Sequence, residues 1–327
     1  YQGMKHWVEY LQTRTDDKGI VVREEPNGWC LGEWSTPHNR IEIPASLVNT
    51  AYFYHVTCIM ADVAGILNKK DDEHHLRTLV ETIRKNFNAA FYNEATHHYG
   101  EGKQGADAFA LAFGLVPEGK REKVFAALLG HLEKVNYHFD TGILATPLLL
   151  QVLTENGRAD LAYKLMNQRD FPSYGYLADK KNNTLWETWN GDGNDEGCGH
   201  CHPMFGSVVA WFYHSLAGIK PDQSDPGMKH FYIEPMIVPD LKYCRATYDS
   251  QYGKISSDWK IDENGNLNLK IEVPANTSAT VIIPDWGGTT VLESGKPVSE
   301  VSNIVIDKVD SARMEVSSGV YHFVILK

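Results

Sequence analysis

From about residue 44 onward the apolar positions fall into a helical rhythm. Leu47 and Val48 are followed by Ala51 and Tyr52, His55 and Val56, Ile59, Val63, then Ile66 and Leu67, which together make one broad apolar face. A second face, formed by Leu76, Leu79, Val80, Ile83, Phe87 and Phe91, opens with the acidic pair Asp71 and Asp72, whose charge suits a helix N-terminus. Met4, Trp7, Val8 and Leu11 predict a further helix at the start of the chain, and the same spacing predicts helices over about 104–114, 118–135, 143–156, 158–168 and 203–217. The connections are short and carry Gly114, Pro117, Gly157 and Pro172, so consecutive helices should form antiparallel hairpins. No strands alternate with these helices, which argues against a parallel α/β fold. Large all-α enzymes often arrange six hairpins in a ring. About eight helices would be such a ring without its first third, and the amphipathic start at Tyr1 is expected to be a cut inside a larger protein.

The rhythm changes after Gly218. Leu267, Leu269, Ile271 and Val273 alternate with Asn268, Lys270 and Glu272, and a terminal apolar run covers Val320 to Leu326. Turn signals at Asn264-Gly265, Pro274-Ala-Asn276, Gly287-Gly288 and Ser294-Gly295 recur at the spacing of an antiparallel β-sandwich. The expected organisation is therefore an incomplete (α/α)6 six-hairpin toroid over 1–222 and a C-terminal β-sandwich over 223–327. Residues 14–43, with many charges and with Trp29, Trp34 and Pro37, are expected to form a long functional loop.

Composition narrows the function classes. The 327 residues carry 31 Lys and Arg against 42 Asp and Glu, a net charge of -11 with no long basic stretch, so nucleic acid and membrane surfaces are poor partners. Five cysteines, spread thinly, make no disulfide framework. The residues themselves leave the compartment open, with a periplasmic or extracellular setting the expectation.

The unusual residues concentrate over 182–206. Cys198-Gly-His-Cys201-His202 matches the c-type haem attachment pattern, but five residues are a cheap match and the surrounding chain is far larger than a haem module needs. The same Cys and His residues have zinc-ligand chemistry, although adjacent ligands fit poorly into one tetrahedron and no second pair lies near in sequence. The third reading takes Trp186-Glu187-Thr188-Trp189 as a carboxylate between aromatics. There Glu187 could act as base on a water while an indole stacks on the apolar face of a sugar. The fourth is a surface Glu on an aromatic-rich loop. Elsewhere His55 reads as a core histidine, and His74, His75, His97 and His98 as solvated. His138, Asp140 and Thr141 sit ahead of an apolar helix, where Asp and Thr are ordinary caps.

A series of motifs, in order along nearly the whole chain, resembles glycoside hydrolase family 78, the α-L-rhamnosidases. It includes Met4-Lys-His-Trp7, Leu31-Gly-Glu-Trp34, Leu47-Val-Asn-Thr-Ala-Tyr52, Gln104 with Ala108-Phe-Ala-Leu111, and Thr141-Gly-Ile-Leu-Ala-Thr-Pro147. It continues through Tyr174-Gly-Tyr176, Thr184-Leu-Trp-Glu-Thr-Trp189, His202-Pro-Met-Phe-Gly206, Trp211-Phe-Tyr-His-Ser-Leu-Ala-Gly-Ile219 and Val273-Pro-Ala-Asn-Thr-Ser-Ala-Thr280. The resemblance implies a six-hairpin toroid followed by a β-sandwich, and inverting hydrolysis of terminal α-L-rhamnose from a glycan or glycoside without metal or organic cofactor. It implies Glu187 as general base, with Trp34 and His202 as sugar-binding residues, while Trp186 and Trp189 read from the sequence either as sugar platforms or as packing residues. Glu33 stands where the family usually has Asp, and Cys201 where it usually has Asn. The family's general acid has no equivalent in this sequence and is expected upstream, in another part of the same catalytic domain. The alternative is a carbohydrate-binding relative that has lost hydrolysis.

Overall fold

A computed structural model describes residues 1–22, 32–37, 43–180, 184–190, 199–287, 290–307, 310 and 312–327. Trp29, Leu31, Cys198 and Gly288, named above, lie outside the described residues. The chain divides into two compact units, Tyr1–Ser207 and Val208–Lys327.

The first unit is helical. Its elements are α1 (Gln2–Thr13), α2 (Ala45–Ile66), α3 (Lys70–Phe91), α4 (Gln104–Ala112), α5 (Arg121–Lys134), α6 (Ala145–Glu155), α7 (Ala159–Asn167) and α8 (Tyr174–Asp179). Asp71, Asp72 and Glu73 occupy the first turn of α3, next to the positive end of its dipole, and Leu76, Val80, Ile83 and Phe87 form its buried stripe. α2 and α3 pack as a hairpin, α4 lies against α5 and α6, and α6 against α7. The core collects Leu47, Phe53, Met60, Phe87, Phe109, Leu128 and Leu149. Not every expected apolar position is inside, since Trp7, Ile59, Ile66 and Leu67 remain exposed. α8 went unanticipated because it is only six residues long, and its start is fixed by the Ser173 side chain, which accepts a hydrogen bond from Tyr176 N–H.

The expected helix over 203–217 is not one helix. A 3-10 turn (Pro203–Ser207) precedes α9 (Val208–Trp211), and a π turn (Phe212–Leu216) follows it. The buried side chains account for the change. Phe205, Val208, Trp211, Ser215, Leu216 and Ala217 are buried, a set with no single helical period to hold the stretch in one regular helix.

The second unit carries nine strands among its described residues: β1 (Ile219–Pro221), β2 (His230–Ile233), β3 (Tyr243–Ser250), β4 (Gly253–Ile261), β5 (Leu267–Ile282), β6 (Val291–Glu293), β7 (Lys296–Pro297), β8 (Ile304–Ile306) and β9 (Arg313–Ile325). Two long strands organise it. β5 and β9 run antiparallel along their whole length except for a register break between Val273 and Ser278. Before the break β5 pairs with β4, and after it with β2, so the β5–β9 pair links the strands into one connected sheet. The β2–β5 pairing is parallel, a departure from the expected all-antiparallel sandwich. Parallel pairing requires a long crossover, here β3 and β4, which periodicity within single strands cannot reveal. Phe231, Ile233, Trp259, Leu269, Ile271, Val281, Val316 and Phe323 fill the common core.

Trp259 is fully buried, and its indole N–H donates to the carbonyl oxygen of Leu216 at 2.7 Å. Trp259→Phe should therefore remove packing volume and orphan that carbonyl, lowering the unfolding free energy by about 2–4 kcal/mol. Urea unfolding followed by the sheet's circular dichroism checks this, and a loss under about 0.5 kcal/mol would contradict it.

Candidate active site

The site grows from three non-helical stretches of the first unit. Residues 184–187 and 199–202 pair through their backbones, Glu187 N–H donating to Gly199 O at 2.9 Å and His202 N–H to Leu185 O at 2.9 Å. The Thr184 hydroxyl donates to His200 O on the same ladder. This pairing turns the Glu187 carboxylate back onto the opposite segment. Its Oε2 accepts from Gly199 N–H at 2.8 Å, and its Oε1 from the indole N–H of Trp34 at 3.2 Å, 153 residues away in sequence. A Cβ at Gly199 would lie 3.2 Å from Oε2 of Glu187, tight enough to displace the carboxylate by a few tenths of an ångström, and at an ordinary contact distance of 3.7 Å from Cδ2 of His202.

These contacts set the charge. The Gly199 N–H holds the Glu187 carboxyl below the ordinary carboxylate range, helped by the Trp34 indole and the nearby His202 and opposed by partial burial. Glu187 is thus an anion at neutral pH, the state a general base requires. Nδ1 of His202 is buried and has no hydrogen-bond partner among the described residues.

The other expected residues separate into two kinds. Trp186 is half-buried, with one face stacked on the His200 ring at 4.1 Å and 11°. Trp189 requires a correction, because it is 0% exposed and has no face to offer a sugar. It stacks on Phe139 at 5.1 Å, meets Tyr174 edge-on and lies 4.4 Å from Phe205, while its N–H donates to Thr141 O at 2.8 Å. Its alternation with Trp186 across an irregular segment turns one indole outward and the other into the core. Trp189 therefore anchors the loop that carries Glu187.

Glu33 was not expected as a structural residue. It is 2% exposed, and its Oε1 accepts from the N–H groups of Gly142 at 2.6 Å and Ala145 at 3.0 Å, while Oε2 has no partner among the described residues. Burial raises its pKa from an ordinary 4.5 to about 8 against the effect of those two N–H groups, and the neighbouring Asp140 adds to the rise. Asp140 is equally occupied. Its Oδ1 accepts from Gln104 N–H at 3.1 Å, at the start of α4, and its Oδ2 pairs with His131 at 2.6 Å.

The histidines also differ from expectation in part. His98 is not a solvated group: its Nδ1 pairs with the fully buried Asp107 at 2.7 Å. His97 contacts the Tyr92 hydroxyl at 2.9 Å. His55, expected in the core, is only half-buried: it stacks on Phe113 at 4.3 Å, and that partial burial lowers its pKa. In the former haem and zinc candidate, Cys201 is exposed and free, and His200 is engaged with Trp186. No group of three or more metal-ligating side chains converges among the described residues.

Comparison with known proteins agrees along the chain. The model of the bacterial alpha-L-rhamnosidase 6 hairpin glycosidase domain matches residues 1–216, and that of the bacterial alpha-L-rhamnosidase C-terminal domain matches residues 218–296. An alpha-L-rhamnosidase of Formosa agariphila is 30% identical over 331 residues, covering 99% of this chain and 35% of that protein. An alpha-L-rhamnosidase of Streptomyces avermitilis is 34% identical over 284 residues, 85% of this chain and 26% of that protein. Among solved structures, the Streptomyces avermitilis alpha-L-rhamnosidase complexed with L-rhamnose matches 99% of this chain and 30% of its own, at TM-score 0.85 and 30% identity. The alpha-L-rhamnosidase from Dictyoglumus thermophilum matches 100% and 36%, at TM-score 0.87 and 31% identity. The chain thus spans about a third of the length of these relatives.

The pKa of Glu33 has a consequence for stability. A carboxyl whose pKa is higher in the fold than in the unfolded chain favours folding in its neutral form. That contribution is fully present below about pH 4.5 and is lost as pH rises through about 8. Glu33→Gln cannot ionise, so wild type should lose stability relative to it between pH 5 and 8. Denaturant unfolding of both proteins at the two pH values measures the difference, and parallel behaviour would mean that Glu33 ionises freely.

Proposed function

The chain belongs to the bacterial alpha-L-rhamnosidases with a six-hairpin glycosidase domain, and from that membership we propose that it supplies the general base and part of the sugar site of an inverting α-L-rhamnoside hydrolase. The observation that carries this reading is the Glu187 carboxylate, kept ionised by one N–H on each oxygen and set beside the half-buried Trp34. Each oxygen keeps a lone pair free of those two bonds. A water held there can give its proton to Glu187 as its oxygen attacks the anomeric carbon. The bond from that carbon to the leaving oxygen breaks on the opposite face, where an acid returns a proton, so the anomeric configuration inverts.

Inversion asks for two carboxyl groups roughly 6.5–9.5 Å apart, with room for water between them. We assign the acid to neither Glu33 nor Asp140. One is closed off behind the loop, and the other has both oxygens engaged. The indoles of Trp34 and Trp186 and the unpartnered Nδ1 of His202 are the groups we assign to sugar binding. The substrate class is a terminal α-L-rhamnosyl residue on a glycan or glycoside.

In the intact protein, Glu187→Gln should lower the turnover of an aryl α-L-rhamnoside by roughly 10²–10⁴ with an unchanged fold. A variant keeping more than about a tenth of the wild-type rate would remove the base assignment, while rhamnose binding with no hydrolysis by wild type would favour a binding relative. Proton NMR of the first-formed sugar tests the stereochemistry, with β-L-rhamnose expected.

Trp34→Phe supplies an independent check. It removes one of the donors that lower the Glu187 pKa, so the acid limb of the rate profile should move to higher pH. An unmoved limb would show that the indole N–H does not act on the base.

A further inference from the structure

We propose that Glu33 is a positioning residue for the reaction: by bonding the backbone at the start of α6 it fixes the Trp34 indole where its N–H meets Glu187. The inference rests on the reading of Glu187 as the base.

The geometry supports it at several points. α6 begins with N–H groups that have no partner within the helix, and its N-cap residue, Leu144, supplies no side-chain acceptor. Glu33 does so from more than a hundred residues away, with Oε1 shared between Gly142 and Ala145. The next residue is tied to the same loop. The Trp34 carbonyl accepts from Ile143 N–H at 2.9 Å, and it sits so close to Gly142 that a Cβ there would lie 1.8 Å from the oxygen. Gly32 and Ser35, on either side of the pair, have φ of 57°, so the chain turns sharply before and after it. A left-handed serine is unfavourable by itself and persists only where the surroundings fix it. The Glu33-Trp34 pair is thus held by three hydrogen bonds to one loop, and the indole projects from that clamp to Glu187 at 3.2 Å.

Glu33 itself is 2% exposed, closed to a substrate, and one of its oxygens has no partner among the described residues. With no access to substrate, its effect on the chemistry runs through what Oε1 holds in place.

The test compares Glu33→Gln, which keeps an acceptor oxygen, with Glu33→Met, which has similar size and no acceptor. Two quantities are read by NMR: the Trp34 indole N–H resonance, assigned with Trp34→Phe, and the titration midpoint of the Glu187 side-chain carboxyl, assigned with Glu187→Gln. Glu33→Gln should leave both where they are in wild type. Glu33→Met should displace the indole resonance and raise the Glu187 midpoint as far as Trp34→Phe does, and the double variant should raise it no further. The proposal is overturned if folded Glu33→Met leaves both quantities unmoved, or if Glu33→Gln moves them as far as Glu33→Met. Should Glu33→Met fail to fold, Glu33→Leu, which is smaller and equally without an acceptor, is read by the same criteria. No rhamnoside enters the measurement, so its failure is separate from a failure of the base assignment.

Discussion

The backbone of Thr141, Gly142 and Ile143 is the constraint on which the site depends. Thr141 offers its carbonyl to the Trp189 indole, Gly142 its N–H to Glu33, and Ile143 its N–H to the Trp34 carbonyl. Trp34 and Trp189 lie in distant parts of the sequence, and each belongs to one half of the Glu187 environment. Trp34 bonds the carboxylate, and Trp189 holds the loop on which Glu187 sits. The three-residue stretch is itself fixed. Asp140 N–H donates to the Gln104 side chain at 3.1 Å, whose amide donates in turn to His138 O at 2.7 Å. Packed helices are the rigid reference, and irregular segments borrow their rigidity through backbone hydrogen bonds.

Two carboxyl groups in this small region meet opposite fates although each accepts two N–H groups. Glu187 is depressed, and Glu33 is raised to about 8. The donors are comparable, so burial decides. Both donors of Glu33 converge on one oxygen while the second is unpartnered, whereas Glu187 has one donor on each oxygen and keeps access to water. Desolvation without full pairing favours the neutral acid, and partial exposure with balanced pairing favours the anion. A group with the first history is suited to structure, and one with the second to proton abstraction.

What the sequence made legible follows from the range of the interactions. α2 and α3 could be read directly, because a buried stripe repeats many times along each and the acidic start of α3 marks its end. The six-hairpin family was legible through the order of short motifs, which no single periodicity supplies. The 203–217 stretch was not, since its buried side chains keep no single period, and over so few residues the apolar positions still read as helical. Trp189 was misread because Trp186 and Trp189 look alike in sequence, and only Phe139, Tyr174 and Phe205 decide which is enclosed. His98 became a partner of Asp107 for a similar reason: a buried carboxylate on α4 can be recognised only once its neighbour is known. The burial of Glu33 was not legible, because a charged residue beside an aromatic one on a loop is ordinarily exposed.

The acidic character of the chain does not govern the ionisation of Glu187. A net charge of -11 would raise every carboxyl pKa if its field reached the site unweakened, yet Glu187 is lowered. Exposed charges are screened over roughly 8–10 Å at ordinary ionic strength. The N–H groups of Gly199 and Trp34 act instead at 2.8 and 3.2 Å, with little room for solvent between donor and acceptor. The proposed substrate is a neutral sugar, so the surface charge supplies no electrostatic steering toward the site either. Recognition must therefore come from short-range features, such as indole faces against apolar sugar faces and fixed donors against hydroxyls. These lose their effect with small displacements, which is why the attachment of both tryptophan loops to one short backbone stretch matters more to this site than any of its charges.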